Sequence, residues 1–339
     1  MSQPRLTISL VTYNGRRWLP GCLESIRRQE LSDYELLILD NGSQDGSIEL
    51  LRNLASSDAR VQLTESRDNL GFAVAHNRLI ANARGEYVAI VNQDLELDPE
   101  FLREAVAAFA GRPRVGAVQG RIGRLSWTDR EVHRTGELDT TGLEMHRDRR
   151  VVSRRQGEQL SARDSIPGPV WGVDGPAPVM RRSALMDARV PRTDGRFEFF
   201  DEDFFMYKED VDLAWRLRLL GWTAWYQPSA IAWHARTAGG GPDRGWSDVV
   251  RSNRAIPAWI KAISWRNQRA MQIKNDAFLD ALRDLPWIAR REIGSLVVML
   301  ATDRARLAMA GELRRSLGVW RKKRALVGRS VALRATRSS

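Results

Sequence analysis

The sequence predicts an α/β protein: a doubly wound, mostly parallel sheet with helices on both faces, followed by a C-terminal helical extension. Three observations lead there. Residues 6–13, 35–39 and 87–91 are short apolar runs rich in Leu, Ile and Val, as in strands buried on both faces. Stretches with apolar residues at helical spacing separate them, and strands alternating with helices imply parallel pairing through right-handed crossovers. From about Asp248 onward the pattern is helical only.

The elements follow in order. Residues 6–13 read as the first strand, ended by the Asn14-Gly15 turn signal. Trp18, Leu19, Cys22, Leu23 and Ile26 then recur at helical spacing to about Gln29. The second strand, 35–39, ends in Asp40-Asn41-Gly42, and Ser47 is placed to cap the next helix. Residues 72–83 are a further helical pattern, and 87–91 the third strand. That strand runs into Asn92-Gln93-Asp94 and then Asp98-Pro99, which reads as the N-cap and first position of a helix. Asp94 thus falls just past the carboxyl end of a buried strand, where open α/β sheets bind ligands. A carboxylate there suits a hard divalent cation bridging phosphates.

The second half is more broken. Residues 121–165 are polar and Arg-rich, interrupted by Gly136, Gly142 and Gly157, and read as hairpins or loops inserted into the sheet domain. Residues 171–178 hold too much Gly and Pro for a helix or a central strand. Residues 209–220 are helical, with Val211, Leu213, Trp215, Leu217 and Leu220 apolar, and Gly221 stops them. Residues 222–226 and 231–233 read as two short strands, and His234 follows the second.

Composition narrows the classes. A chain of 339 residues with 43% hydrophobic and 28% charged residues is globular, with ample core. Its lone cysteine, Cys22, excludes an intramolecular disulfide framework and fits a reducing compartment. Residues 1–15 lead straight into a strand pattern, without the apolar core and cleavage region of a secretory signal. The longest apolar stretch, 293–301, is nine residues, against the ~18 of a transmembrane helix. Cytoplasmic placement is therefore expected. The net charge of +11 is concentrated late: residues 303–339 carry eleven Lys/Arg against Asp303 and Glu312. Such a tail suits an anionic membrane surface or a nucleic acid.

Four pieces, taken in order, carry a specific pattern: Ser9-Leu10-Val11-Thr12-Tyr13-Asn14; Leu39-Asp40-Asn41-Gly42-Ser43; Asn69-Leu70-Gly71-Phe72 through Asn77, followed by Asn92-Gln93-Asp94; and Lys208-Glu209-Asp210-Val211-Asp212-Leu213. Together, over roughly residues 6–236, they resemble the family 2 glycosyltransferases, which have the GT-A fold. The resemblance implies an inverting, metal-dependent transfer from a nucleotide-sugar donor to a saccharide acceptor. It divides the chain into a catalytic domain, 1–245, with a nucleotide-binding half to about residue 120 and an acceptor half from 121, and a basic extension, 246–339.

The chemistry of the residues runs beside that resemblance. Thr12, Tyr13 and Asn14 offer hydroxyls, an aromatic face and an amide to a base and ribose, and Asp40 can accept the imide N–H of uracil or thymine. Asn69 and Gly71 allow close backbone approach, and Asn77, on the following helix, is expected at the donor site; His76 reads as structural or solvent-exposed. Asn92, Gln93 and Asp94 stand where the family has Asp-x-Asp, with an amide in place of the first acid. Asp94 with the donor diphosphate and waters can still hold Mg²⁺ or Mn²⁺; His234 matches a late metal or diphosphate ligand. Asp210 matches the family's base, which takes the proton of the acceptor hydroxyl, and Glu209 orients it or holds the acceptor. Trp171 and Gly175 fall where the family has its acceptor loop; Trp171 either stacks on an acceptor sugar or packs in the core.

Within the family the chain looks most like bacterial rhamnosyltransferases of cell-surface polysaccharide assembly. That implies dTDP-L-rhamnose as donor and a lipid-linked saccharide as acceptor, with UDP- or GDP-sugars as the alternative. The extension places Ile256, Trp259, Ile260 and Ile263, then Leu279, Leu282 and Leu285, then Ile293, Leu296, Val297 and Leu300 at helical spacing among Arg and Lys. Basic amphipathic helices of this kind suit a membrane interface, here the inner face of the cell membrane; otherwise they pack on the catalytic domain or on a second copy in a homo-oligomer. A dehydrogenase is disfavoured by the missing G-x-G-x-x-G turn, and a nucleotidyltransferase by the missing Gly-rich phosphate loop after strand one. No nucleic acid partner is expected, since it leaves Asp40, Asp94, Glu209 and Asp210 unexplained.

Overall fold

A computed structural model describes residues 3–127, 132–192, 194–236, 257–302 and 305–338. The first part alternates strands and helices: β1 (Leu6–Thr12), α1 (Leu19–Arg27), β2 (Tyr34–Asp40), α2 (Ser47–Ser57), β3 (Val61–Glu65), α3 (Gly71–Ala81), β4 (Tyr87–Asn92), β5 (Leu95–Leu97) and α4 (Phe101–Ala107). Strands dominate the next part: β6 (Val115–Trp127), β7 (Val132–Thr140), β8 (Leu143–Met145), β9 (Val151–Ser153), β10 (Gly168–Val170) and β11 (Val179–Arg181). Then come α5 (Arg182–Ala188), β12 (Val190–Pro191), β13 (Phe197–Glu198), α6 (Glu209–Leu219) and β14 (Thr223–His234). The extension holds α7 (Ala258–Asn275), α8 (Phe278–Arg283), α9 (Leu285–Thr302) and α10 (Ala305–Ser338).

The main sheet runs β10-β14-β6-β11-β4-β1-β2-β3, with β5 and β7 added beside β14 and β6. β1 pairs in parallel with β2 and β4, and β14 with β6; β11 is antiparallel to both neighbours. The reversal of β11 matters for function. Its entering loop, 171–178, reaches the same edge at which β1, β2, β4 and β14 end. Helices cover both faces because the central strands are apolar on both: Ala89 and Val91 pack with Leu19, Cys22 and Phe101, while Val88 and Ile90 pack with Ala73, Ile80 and Leu213. The helices on both faces are the expected doubly wound arrangement, on a sheet that mixes parallel and antiparallel pairings.

Several local expectations change. β3 escapes the sequence pattern because it is an edge strand with only Val61 buried. Ser47 is not a cap but the first residue of α2; its N–H and hydroxyl both donate to Asp45. Asp98 opens a turn, accepting from Glu100 N, and α4 starts at Phe101. The two late strands are one, β14, whose register shifts between Gln227 and Ile231, where Pro228 removes a ladder donor.

The extension divides in two. The 245/246 boundary and Ile256 lie outside the described residues. α7 and α10 share a core with the sheet domain, as Ala270, Met271 and Trp320 pack with Phe204, Val211 and Trp215. Lys274 Nζ, fully buried, sits 2.6 Å from Asp201 and 2.8 Å from Asp212. Lys323 reaches Asp201, Glu198 and Asp203. Burial alone would raise the Asp201 pKa, but these two ammonium groups hold it well below the usual carboxylate range. Part of the late positive charge is thus turned inward. The apolar residues of α8 and α9 face the other way: Phe278 (72%), Leu279 (75%), Ile293 (63%) and Val297 (60%) are exposed. No helix among the described residues is long and apolar enough to cross a membrane.

Candidate active site

The end of β1 and the turn after β4 are tied together. Thr12 Oγ and the Tyr13 N–H both donate to Gln93 Oε1. Gln93 therefore shapes the turn rather than reaching toward a diphosphate. A Cβ at Gly15 would lie 2.3 Å from that oxygen, so a larger residue there would displace the Gln93 side chain. Asn14, at φ 49°, donates through its backbone N–H to Ser43 and accepts from Gln44 N, locking the ends of β1 and β2 together. Tyr13 is exposed, so its ring is available to a ligand.

Asp40 is buried at the end of β2. Its Oδ2 accepts from Ser43 N at 3.0 Å, and its buried Oδ1 has no partner among the described residues. A buried acceptor without a donor costs free energy unless a ligand supplies one, as the imide of a pyrimidine does.

Asn69 and Gly71 organise the loop that follows. Asn69 Oδ1 accepts from Asn41 Nδ2 and from Gly71 N. Gly71 has φ +77° and leaves room for the Phe205 ring, 2.7 Å from where a Cβ would stand. Asn77 is the clearest departure from expectation. Its amide donates to Phe200 O and Glu202 and accepts from the N–H groups of Phe199 and Phe200. The side chain is saturated by the 199–202 segment, which leaves it no group to offer a donor. His76 is buried against Ser9, and burial lowers its pKa to about 3, so it stays neutral.

Asp94 and His234 meet. His234 Nε2 lies 3.2 Å from Asp94 Oδ1, and Nδ1 lies 2.9 Å from Asp139, which also contacts Arg236 at 3.3 Å. Burial opposes charge on the ring, but the two carboxylates outweigh it and push His234 up to about 10. A cation bound between them would displace the Nε2 proton, since an imidazole ligates only when deprotonated. One carboxylate and one imidazole are then suitable donors to a divalent cation, and a carboxylate behind the other imidazole nitrogen orients such a ligand. Among the described residues no group of three or more His, Cys, Asp or Glu converges as a closed metal site. The pair therefore fits a cation whose remaining ligands come from a donor diphosphate and water. Asn92, half-buried, ends β4.

Glu209 and Asp210 open α6. Gly175 N–H donates to Asp210 Oδ2 at 3.1 Å and to Asp174 Oδ1 at 2.9 Å. Burial, then the Asp174 charge, raises Asp210 to about 6, against the pull of Lys208 and the Val211 N–H. Burial and Asp210 raise Glu209 to about 8. A carboxyl near 6 is suited to a general base close to neutral pH. Burial and the nearby charge of Glu209 raise the Tyr207 hydroxyl's pKa, and Arg236 lowers it. The loop before α6 is strained: Phe205, Tyr207 and Lys208 all have positive φ, on the order of 1–3 kcal/mol each. Trp171 packs edge-on to Trp215 at 6.1 Å, with Arg218 over its ring. It belongs to the rim of a core, while Gly175 touches the site directly.

The match to glycosyl transferase family 2 covers residues 7–188, more than half of the chain. The chain belongs to that family. As a family 2 member it is 30% identical over 256 residues to the N-acetylglucosaminyl-diphospho-decaprenol L-rhamnosyltransferase of Mycobacterium tuberculosis, covering 70% of this chain and 78% of the relative. It is 29% identical over 104 residues to the putative glycosyltransferase EpsH of Bacillus subtilis, 31% of this chain and only 30% of that protein. Among solved structures, GalNAc-T7 with UDP, GalNAc and Mn²⁺ superposes with a TM-score of 0.56 at 12% identity, over 79% of this chain and 51% of that one. The shared architecture is the GT-A fold.

In this family 2 member, Asp139 and Asp174 are site residues that the sequence pattern does not mark. Asp174 had a weak signal, an acid between glycines in a Pro-rich loop. Asp139 had none, since it lies in a polar insertion whose partner is 95 residues away.

Proposed function

We propose that the protein transfers L-rhamnose from dTDP-L-rhamnose, with inversion, to a saccharide carried on a lipid diphosphate, in cell-envelope polysaccharide synthesis. The observation that carries the transfer chemistry is Asp210, raised to about 6 beside Asp174 at the edge where Asp40 ends β2 and Asp94 follows β4. The name of the Mycobacterium tuberculosis relative supports the choice of sugar and acceptor.

In this reading Tyr13 and the free oxygen of Asp40 hold the base, and Thr12, Asn14, Asn69 and Gly71 shape the pocket around it. Asp94 and His234 would hold Mg²⁺ or Mn²⁺, which would supply positive charge to offset the departing diphosphate. The Mn²⁺ in the GalNAc-T7 structure supports a divalent ion. Asp210 removes the proton of the acceptor hydroxyl as that oxygen attacks the anomeric carbon from the face opposite the diphosphate. Glu209, neutral near pH 7, offers a hydrogen-bond donor to the acceptor. The exposed apolar residues of α8 and α9, flanked by exposed Arg283 and Arg290, rest on the anionic inner face of the cell membrane.

The test is a donor screen with dTDP-, UDP- and GDP-sugars, with and without Mn²⁺, read as thermal stabilisation and then as transfer to a lipid-linked saccharide. NMR of the product gives the anomeric configuration. Stabilisation by a UDP- or GDP-sugar in place of dTDP-L-rhamnose overturns the donor assignment, and a retained anomeric configuration overturns the single-base mechanism.

A further inference from the structure

The loop before Glu209 holds three residues with positive φ, Phe205 (61°), Tyr207 (67°) and Lys208 (74°), and no glycine. Its support comes from the extension. Asn267 of α7 is fully buried. Its side-chain NH₂ points at three carbonyls of this loop, those of Phe204 at 3.0 Å, Met206 at 2.9 Å and Tyr207 at 2.9 Å. The other end of the amide accepts from the Arg266 guanidinium, which itself donates to Asp203 O at 2.8 Å.

The same face of α7 also grips the far side of the acids. Asn267, Ala270, Met271 and Lys274 recur at the spacing of one helical stripe, and all are buried. Lys274 and Asn275 hold the two oxygens of Asp212 at 2.8 and 2.7 Å. Glu209 and Asp210 therefore lie between two anchors on one helix, a carbonyl-binding amide before them and a charged clamp just after.

We propose that Asn267 is a positioning residue for Asp210. By binding the 204–207 carbonyls it holds the left-handed loop that aims the Asp210 carboxylate at Gly175 N–H. The extension is thus part of the catalytic apparatus. The proposal rests on Asp210 as the base.

The experiment uses the full chain. Asn267→Ala should lower kcat about 100-fold, the scale expected when a reacting group is displaced by about 1 Å, while donor Kd stays within about twofold. Gln268→Ala is the matched control. It removes a buried hydrogen bond of the same helix to Arg149 O, at 2.7 Å, without touching the loop. It should lower Tm yet keep kcat within about threefold. The acid limb of the kcat profile should move in Asn267→Ala and stay in place in Gln268→Ala. Asn267→Ser keeps one donor and should retain intermediate kcat, which decides the matter if the alanine variant does not fold. Wild-type kcat in the Asn267 variants, or an equal loss in Gln268→Ala with no shift of the acid limb, overturns the proposal. Asp210→Asn runs in parallel. If it is inactive while the Asn267 variants match wild type, only the positioning role falls. If it turns over like wild type, the base assignment falls and this role with it.

Discussion

Asp210 and Asp174 share one donor: the N–H of Gly175 reaches a carboxylate oxygen of each, at 3.1 and 2.9 Å. Two acids on a single N–H repel each other when both are ionised, and the second proton is held more tightly. The groups facing Asp210 are Asp174, Lys208 and the Val211 N–H, with Glu209 beside it.

The first prediction is a pH profile. A base must be deprotonated, so kcat/KM should rise with pH through about 6, the value to which burial and Asp174 raise Asp210. Asp174→Asn removes the like charge, so the midpoint should fall toward the ordinary carboxylate range while the alkaline side stays put. The stability sign runs oppositely: the native state keeps this proton to higher pH than the unfolded chain, so Asp210 favours folding less as pH rises from about 4 through 6. Tm of wild type and Asp174→Asn across that window checks it.

The second concerns Asp139. It touches the far nitrogen of His234 and so orients the imidazole without reaching a cation itself. Asp139→Asn should weaken Mn²⁺-dependent donor binding by about 10–100-fold, the usual scale for such partners. Calorimetry with dTDP, with and without Mn²⁺, measures it. His234→Ala should remove the metal response altogether.

The third concerns the free oxygen of Asp40. A hydrogen bond to a charged group is worth about 1.5–3 kcal/mol, so Asp40→Ala should weaken binding of a pyrimidine nucleoside diphosphate roughly 10–100-fold. Pyrophosphate binding should not change, because the proposed reading puts the diphosphate at Asp94. Equal losses for both ligands would mean that Asp40 only supports the turn at Ser43.

The fourth concerns α8 and α9. Leu279→Asp combined with Ile293→Asp should reduce co-sedimentation with anionic vesicles at high salt, where apolar insertion persists and charge attraction is screened. Turnover of a soluble acceptor should be unaffected. Full-length protein that stays in the supernatant at every salt and lipid content removes the membrane role and leaves this face to a second copy of the chain.

The sheet was legible because its signals are local. β1, β2 and β4 are apolar runs that can only be buried, and turn residues close each one at Asn14-Gly15, Asp40-Asn41-Gly42 and Asn92-Gln93-Asp94. Strand ends in such a sheet share an edge, so sequence alone placed Thr12, Asp40 and Asp94 together and marked Glu209-Asp210 as the acids opening a helix. It did not determine what those side chains bind. Asn77 and Gln93 carry amides suited to a donor, yet Asn77 is taken up by the 199–202 segment and Gln93 by Thr12 and Tyr13, partners that only tertiary packing brings near. Asp139 and Asp174 became site residues because β7, paired with β6, brings Asp139 to His234 at the end of β14, and because the antiparallel β11 draws its entering loop to that edge. The extension followed the same rule. Helical spacing marked its apolar positions but could not say which stripe meets protein and which meets solvent. That was decided by Asp201, Asp212 and the carbonyls of 204–207, buried groups that had to be paired and find Lys274, Lys323 and Asn267.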